Sequence, residues 1–180
     1  MSKCNSGHFK GTSGLKNSSL NNQLERDIIS DRVKGLDLRQ HPTKSLTSKQ
    51  MSAIRKKVAQ RTANAREYRF LRHSERFLKR RRAGVKRFWE QERERIVNNH
   101  KTTRKWSAEQ IRSILHGHPP KYKGKTIAGH HTYSASKYPH LANRGEVIYP
   151  VTFHEHFTGW HGGDFRKSKP GKPIKKIKDF

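Results

Sequence analysis

The sequence predicts an α+β protein, a basic helical N-terminal region followed by a small core ordered helix, strand, loop, strand, helix. Three observations predict it. Capping boxes of the form Ser/Thr-x-x-Glu/Gln open three segments, at Thr47–Gln50, Ser107–Gln110 and Thr152–Glu155. Lys plus Arg number 19 against 5 Asp plus Glu in residues 51–105, the largest share of the excess in a chain of formal net charge +27. Eight of the 12 histidines fall instead in residues 106–163, so charge and potential ligands occupy different segments.

Residues 1–46 are rich in Ser, Asn, Gly and Lys and read as a low-order segment. A short helix is expected near 21–34, where Leu24, Ile28, Ile29, Val33 and Leu36 give helical periodicity. Residues 47–105 form the basic helical region. Behind the first capping box, Met51, Ile54, Val58, Tyr68, Leu71 and Leu78 predict a helix from about 48 to 82. Gly84 is expected to interrupt it, and Val85, Phe88, Trp89 and Ile96 continue a second stretch to about Asn98. The charge run, densest at Arg80-Arg81-Arg82, reads either as a solvated helical face or as a phosphate-contacting arm.

Residues 106–170 form the compact core. Trp106 and Ile111 flank the second capping box as a hydrophobic staple, and Gly117 with Pro119 stops that helix after Leu115. Lys125–Ala128 and Glu146–Tyr149 read as short strands. The third capping box starts a helix at Phe153 that should stop at Gly162 and Gly163. Residues 171–180 are a basic tail.

Composition narrows the function. Hydrophobic residues make up 30% of the chain, so any core is small, and a charge of +27 attracts polyanions, nucleic acid before anionic membrane. Small neutral substrates are disfavoured. Cys4 is the one cysteine, which excludes an internal disulfide and a thiolate zinc site. No apolar run is long enough to span a membrane, and Met1–Gly14 lacks the apolar stretch of a secretory signal.

His130 and His131 close the first strand, and because successive strand side chains face opposite ways they cannot share one task. His154, His156 and His161 lie on or just after the last helix. A strand end presenting one imidazole to a helix presenting two more makes a three-nitrogen metal site with an open position, as metal-assisted hydrolysis requires. His154 reads more simply as an exposed helix-start residue. His140 reads as a loop residue, and His116 and His118 as a helix C-terminal cap. Phe157 and Trp160 read as packing for the helix against the sheet.

Gly129-His130-His131, then Tyr138-Pro139-His140-Leu141-Ala142, Val151-Thr152, Glu155-His156 and His161-Gly162-Gly163, resemble the GHH-type group of HNH nucleases. These belong to the ββα-metal superfamily, found in C-terminal toxin modules of bacterial polymorphic toxins and sharing a core with colicin DNases. The resemblance spans roughly 121–170 and implies a ββα-metal core holding one divalent ion. Carried over position by position, it implies His130, His156 and His161 as metal ligands and His131 as the general base. The implied activity is metal-dependent endonucleolytic phosphodiester hydrolysis, on DNA before RNA. The ion assists at the scissile phosphate while the base generates hydroxide. Zinc, nickel or cobalt suit three imidazoles; manganese or magnesium remain open because physiological and preferred ions can differ. Arg80, Arg81, Arg82, Arg166 and Lys167 are the expected phosphate contacts. The resemblance further implies an acidic immunity protein as partner. It also implies action in the bacterial cytoplasm, including that of a target cell after export as part of a larger toxin.

Two departures from the family pattern carry structural expectations. The helix ligands stand five residues apart instead of four, which on a regular α-helix separates them by about 140°. Gly159 between them is where the last turn can unwind or bulge. The residue nine before His156 is Val147 and not asparagine, with Asn143 farther off. Two readings compete with the nuclease: a non-catalytic nucleic-acid binder, ribosome-associated or architectural, and a histidine-stabilised structural metal module.

Overall fold

The computed structural model describes residues 26–180. A first helix, α1, runs through residues 26–32 within the expected 21–34 window, and Leu24 lies outside the described residues. Its buried Ile29 packs with Tyr149, Val151 and Trp160, while Val33 just beyond joins the main core.

The basic region divides elsewhere than the periodicity predicts. Helix α2 (Ser48–Ala59) opens with the expected Thr47/Gln50 capping box but ends at Ala59. Arg61 takes a left-handed φ of 59°, and α3 (Ala65–Val97) restarts from a capping box made by Asn64 and Glu67. That Asn-x-x-Glu signal was legible in the sequence and outweighs the apolar spacing across it. Nor does Gly84 interrupt the helix, because α3 runs through it for 33 residues. Its role is close approach: a Cβ there would stand 2.4 Å from the Ala142 carbonyl oxygen.

Helix α4 (Ala108–Leu115) has the expected Ser107/Gln110 box and is ended by Gly117 at φ 80°. A two-residue hairpin follows, β1 (Lys121–Tyr122) with β2 (Lys125–Thr126), and then the principal strand pair. In that pair β3 (Ala128–His131) runs antiparallel to β4 (Ile148–Val151), with His130 opposite Tyr149 and His131 opposite Ile148. Short 3₁₀ turns at Pro139–Leu141 and Gly145–Val147 shape the connection. The chain then enters a final helix at 153–154 that continues as a π-helix, Glu155–Trp160. Mixed helices and two small two-stranded sheets make the α+β class expected.

The core lies between α3, α4 and the β3–β4 pair and contains Phe88, Trp89, Trp106, Ile114, Ile127, Leu141, Val147 and Ile148. Gly129 lets the strand lie against α3, since a Cβ there would be 2.8 Å from Val85 Cγ1. Gly145 does the same in the 3₁₀ turn before β4, where a Cβ would be 2.8 Å from the Phe88 backbone nitrogen. Two buried carboxylates tie the layers together. Glu92 on α3 accepts hydrogen bonds from the Thr103 amide (2.7 Å) and hydroxyl (2.6 Å), Trp106 Nε1 (2.7 Å) and Arg95 (2.9 Å). Glu155 receives a two-pronged Arg104 guanidinium at 2.7 and 2.8 Å, both side chains being almost wholly buried. The basic tail closes over this pair: Arg104 donates to the Phe180 carbonyl, and the Phe180 ring stacks on Tyr122 at 4.8 Å.

Candidate metal centre

The strand alternation separates the two adjacent histidines as expected. His130 is buried and faces the final helix, its ring centroid 4.8 Å from that of His156 and 5.1 Å from that of His161. The two helix imidazoles are 4.9 Å apart, and one ligand atom from each of the three lies within 4.8 Å of the others. Nitrogen ligands on a tetrahedral ion stand about 3.4 Å apart, so small side-chain rotations suffice for three of them to share one cation.

The five-residue spacing is accommodated by the π-helix. The amide of His161 donates to the His156 carbonyl, five residues back, at 3.1 Å. With roughly 4.4 residues per turn, five residues advance only about 50° past a full turn, so both imidazoles share a face. An i→i+5 turn leaves carbonyls without the usual helical donor. That of Gly159 is met from outside, by the amides of Ile174 (3.0 Å) and Lys175 (2.9 Å) in the tail. The start of the helix is fixed by Thr152 and Glu155, each capping the other's amide at 2.9 and 3.1 Å.

The donor chemistry fits a cation. His161 Nδ1 donates to the Lys167 carbonyl at 2.6 Å, which fixes the tautomer and leaves Nε2 as a lone pair. Burial holds the His130 pKa well below the usual imidazole value, reinforced by the neighbouring imidazoles. His156 is pushed down to about 4, chiefly by burial and then by His161. Neutral imidazoles with free lone pairs are the form that ligates metal.

His131 lies on the opposite strand face. Its Nε2 meets the Ala142 carbonyl at 2.9 Å, and since a carbonyl only accepts, the proton is on Nε2 and Nδ1 is the free base. Burial lowers its pKa to about 4 against the raising effect of that carbonyl, with the Arg81 charge lowering it further. The Ala142 carbonyl is also the atom that Gly84 on α3 approaches. The long helix therefore sets where the carbonyl, and so the imidazole, can be.

The arginine knot divides three ways. Arg80 donates to the His140 carbonyl and to Asn143 Oδ1, both at 3.1 Å, and so braces the β3–β4 connection. Arg87 donates to the Asn143 carbonyl at 2.9 Å. Asn143 is thus bound into the loop although it is not nine residues before His156. Arg81 lies where its charge acts on His131, and Arg82, Arg166 and Lys167 are exposed. His154 is exposed and hydrogen-bonds Asp179 at 2.9 Å, apart from the imidazole cluster. Trp160 is buried against His130 and Tyr149, the packing role expected of it. Phe157, part-buried, stacks on Phe153 and meets Phe165 at a 49° tilt.

Sequence reasoning did not find the Arg104–Glu155 pair or a second grouping of Asp37, His41 and His140. Their members are joined across 51 and 103 residues, which no local signal reports. In that grouping Arg39 already holds both Asp37 carboxylate oxygens, at 2.9 Å each.

Residues 72–152 match a family described as a GHH signature containing HNH/Endo VII superfamily nuclease toxin. The matched stretch begins inside α3, includes Gly129-His130-His131 and ends at Thr152, so His156 and His161 lie beyond it. No curated protein and no solved structure matches the chain. The match bears out the GHH-type resemblance and supports nuclease chemistry on nucleic acid. Among the described residues no helix is long and apolar enough to cross a membrane.

Proposed function

We propose that the protein is a metal-dependent endonuclease of the GHH-type HNH class, a toxin module that hydrolyses phosphodiester bonds. DNA is the first-choice substrate, His131 the general base, and His130, His156 and His161 the ligands of one divalent ion. The observation that carries this reading is the convergence of those three imidazoles, with a fourth next in sequence on the opposite strand face whose tautomer is set by the Ala142 carbonyl.

Bound at the three nitrogens, the ion supplies Lewis-acid assistance at the scissile phosphate and to the departing 3′ oxygen. The chain's own groups do the rest. His131 Nδ1 accepts the proton of the attacking water, and the carbonyl on Nε2–H stabilises the imidazolium that forms. Its depressed pKa keeps it unprotonated at neutral pH, at the cost of being a weaker base than a free imidazole. Arg81, whose charge acts on it, is a candidate to meet phosphate charge, and the exposed Arg82, Arg166 and Lys167 are further candidate phosphate contacts.

An acidic immunity protein is the partner that a +27 surface would capture fastest, and the site of action is the cytoplasm of a target bacterium. The test is purified protein on supercoiled plasmid and on RNA with zinc, nickel, cobalt, manganese, magnesium or EDTA. Cleavage that requires an added ion and is abolished by His131→Ala, with metal affinity retained, supports the reading. Binding without cleavage under every ion would leave only a nucleic-acid-binding protein.

A further inference from the structure

Three phenylalanines, a stacked pair and a third ring tilted 49° to it, form an aromatic ladder at the rim of the imidazole cluster. Phe153 and Phe157, one turn apart on the final helix, lie with ring planes 15° apart at 6.0 Å, and Phe157 meets Phe165 at 5.0 Å. The chain reaches Phe165 through a reversal at Gly162 and Gly163, which adopt φ 62° and 91°. There the Gly163 amide donates to the Phe157 carbonyl at 2.8 Å. Packing does not explain the outer two, since Phe153 is 64% and Phe165 53% exposed. Phe165 is at the same time within ring-contact distance of two candidate ligands, 5.5 Å from His156 and 5.1 Å from His161.

We propose that this ladder is a stacking platform for unpaired bases, so that the enzyme engages single-stranded or locally opened nucleic acid beside the scissile phosphate. The proposal rests on the nuclease reading and specifies its substrate. Contact with His156 and His161 puts the Phe165 face about one nucleotide from a phosphate held at the cluster. Exposed Arg166, Lys167 and Lys169 follow directly, giving the cationic track beside aromatic faces that single-strand binding uses. In an intact duplex the base faces are buried in the stack and cannot reach a phenyl ring, whereas an unpaired base presents its face freely. The positive charge around the ladder favours a polyanion over an apolar protein surface as its occupant.

The test uses oligonucleotides carrying 2-aminopurine, as single-stranded DNA, single-stranded RNA and duplex DNA, bound to the His131→Ala protein so that cleavage does not intervene. Stacking quenches the probe. Quenching by at least one of the two single strands and not by the duplex is expected. Adding Phe153→Ala and Phe165→Ala should remove the quenching and weaken single-strand affinity roughly 5- to 150-fold, while Phe165→Trp retains both. Both positions are exposed, so circular dichroism should be unchanged by the alanines, and Phe153→Ala alone, whose ring contact is with Phe157 and not with the candidate ligands, should leave the zinc titration unchanged and still weaken single-strand affinity. Single-strand affinity indifferent to the double substitution, or equal quenching by duplex, overturns the proposal. Failure of the nuclease reading is separately visible as absence of cleavage by the unsubstituted protein while quenching persists.

Discussion

The His161 amide and the His156 carbonyl are hydrogen-bonded across five residues, and that one bond puts two imidazoles spaced wrongly for an α-helix on the same face. The irregular turn is held from outside: the tail amides of Ile174 and Lys175 satisfy the Gly159 carbonyl, and the Asp179 amide donates to Glu155 at 2.8 Å. Truncation before Ile174 is therefore expected to weaken zinc affinity about 10- to 100-fold, the usual scale for loss of groups that orient ligands. Calorimetry of truncated and full-length protein checks it; equal affinities would mean the π-helix needs no clamp.

Gly84→Ala tests the link from α3 to the base. The new Cβ would overlap the Ala142 carbonyl, so either helix or loop must shift, at about 1–3 kcal/mol of stability. Because that carbonyl orients His131, cleavage should fall by more than the unfolded fraction accounts for. Denaturant unfolding and turnover, measured on the same preparation, separate the two effects.

Acidification should destabilise the metal-free protein before its carboxylates titrate. The folded-state pKa values of His131 and His156 are depressed to about 4 by burial, against about 6.5 unfolded. Between those values the unfolded chain binds more protons, so stability is full above about 6.5 and declines as pH falls toward 4. Melting temperature followed from pH 7.5 to 4.5 should drop most steeply in the lower half. A His131→Ala protein should show a shallower fall.

The arginine knot should respond unequally. Arg82→Gln is expected to lower the log–log salt slope of DNA binding by about 0.9, the value for one phosphate, without changing stability. Arg80→Gln should instead leave the slope nearly intact and lower the melting temperature, since its guanidinium is hydrogen-bonded to His140 and Asn143. Identical behaviour of the two variants would show that the braces are not made in solution.

Glu155→Ala should be the most destabilising of these changes, about 3–5 kcal/mol, because it leaves the Arg104 charge buried without its carboxylate. Urea unfolding reads it directly. A loss below 1 kcal/mol would mean that water reaches the guanidinium.

Short-range chemistry was legible in the chain itself. Three capping boxes marked helix starts at Ser48, Ala108 and Phe153, because side chain and amide are within four residues of each other. Strand alternation separated His130 from His131, and Gly159 between the helix histidines marked where regular helix would fail. The tertiary structure alone decided what those local facts add up to. Gly84 reads locally as a helix interruption and is instead the point where α3 meets the Ala142 carbonyl. Arg80 reads locally only as part of a cationic helical run, and the structure shows its guanidinium bonded to a loop 60 residues on. Distance in sequence is the reason: which carbonyl a side chain or missing Cβ will meet depends on how whole elements pack, and local patterns carry no record of that.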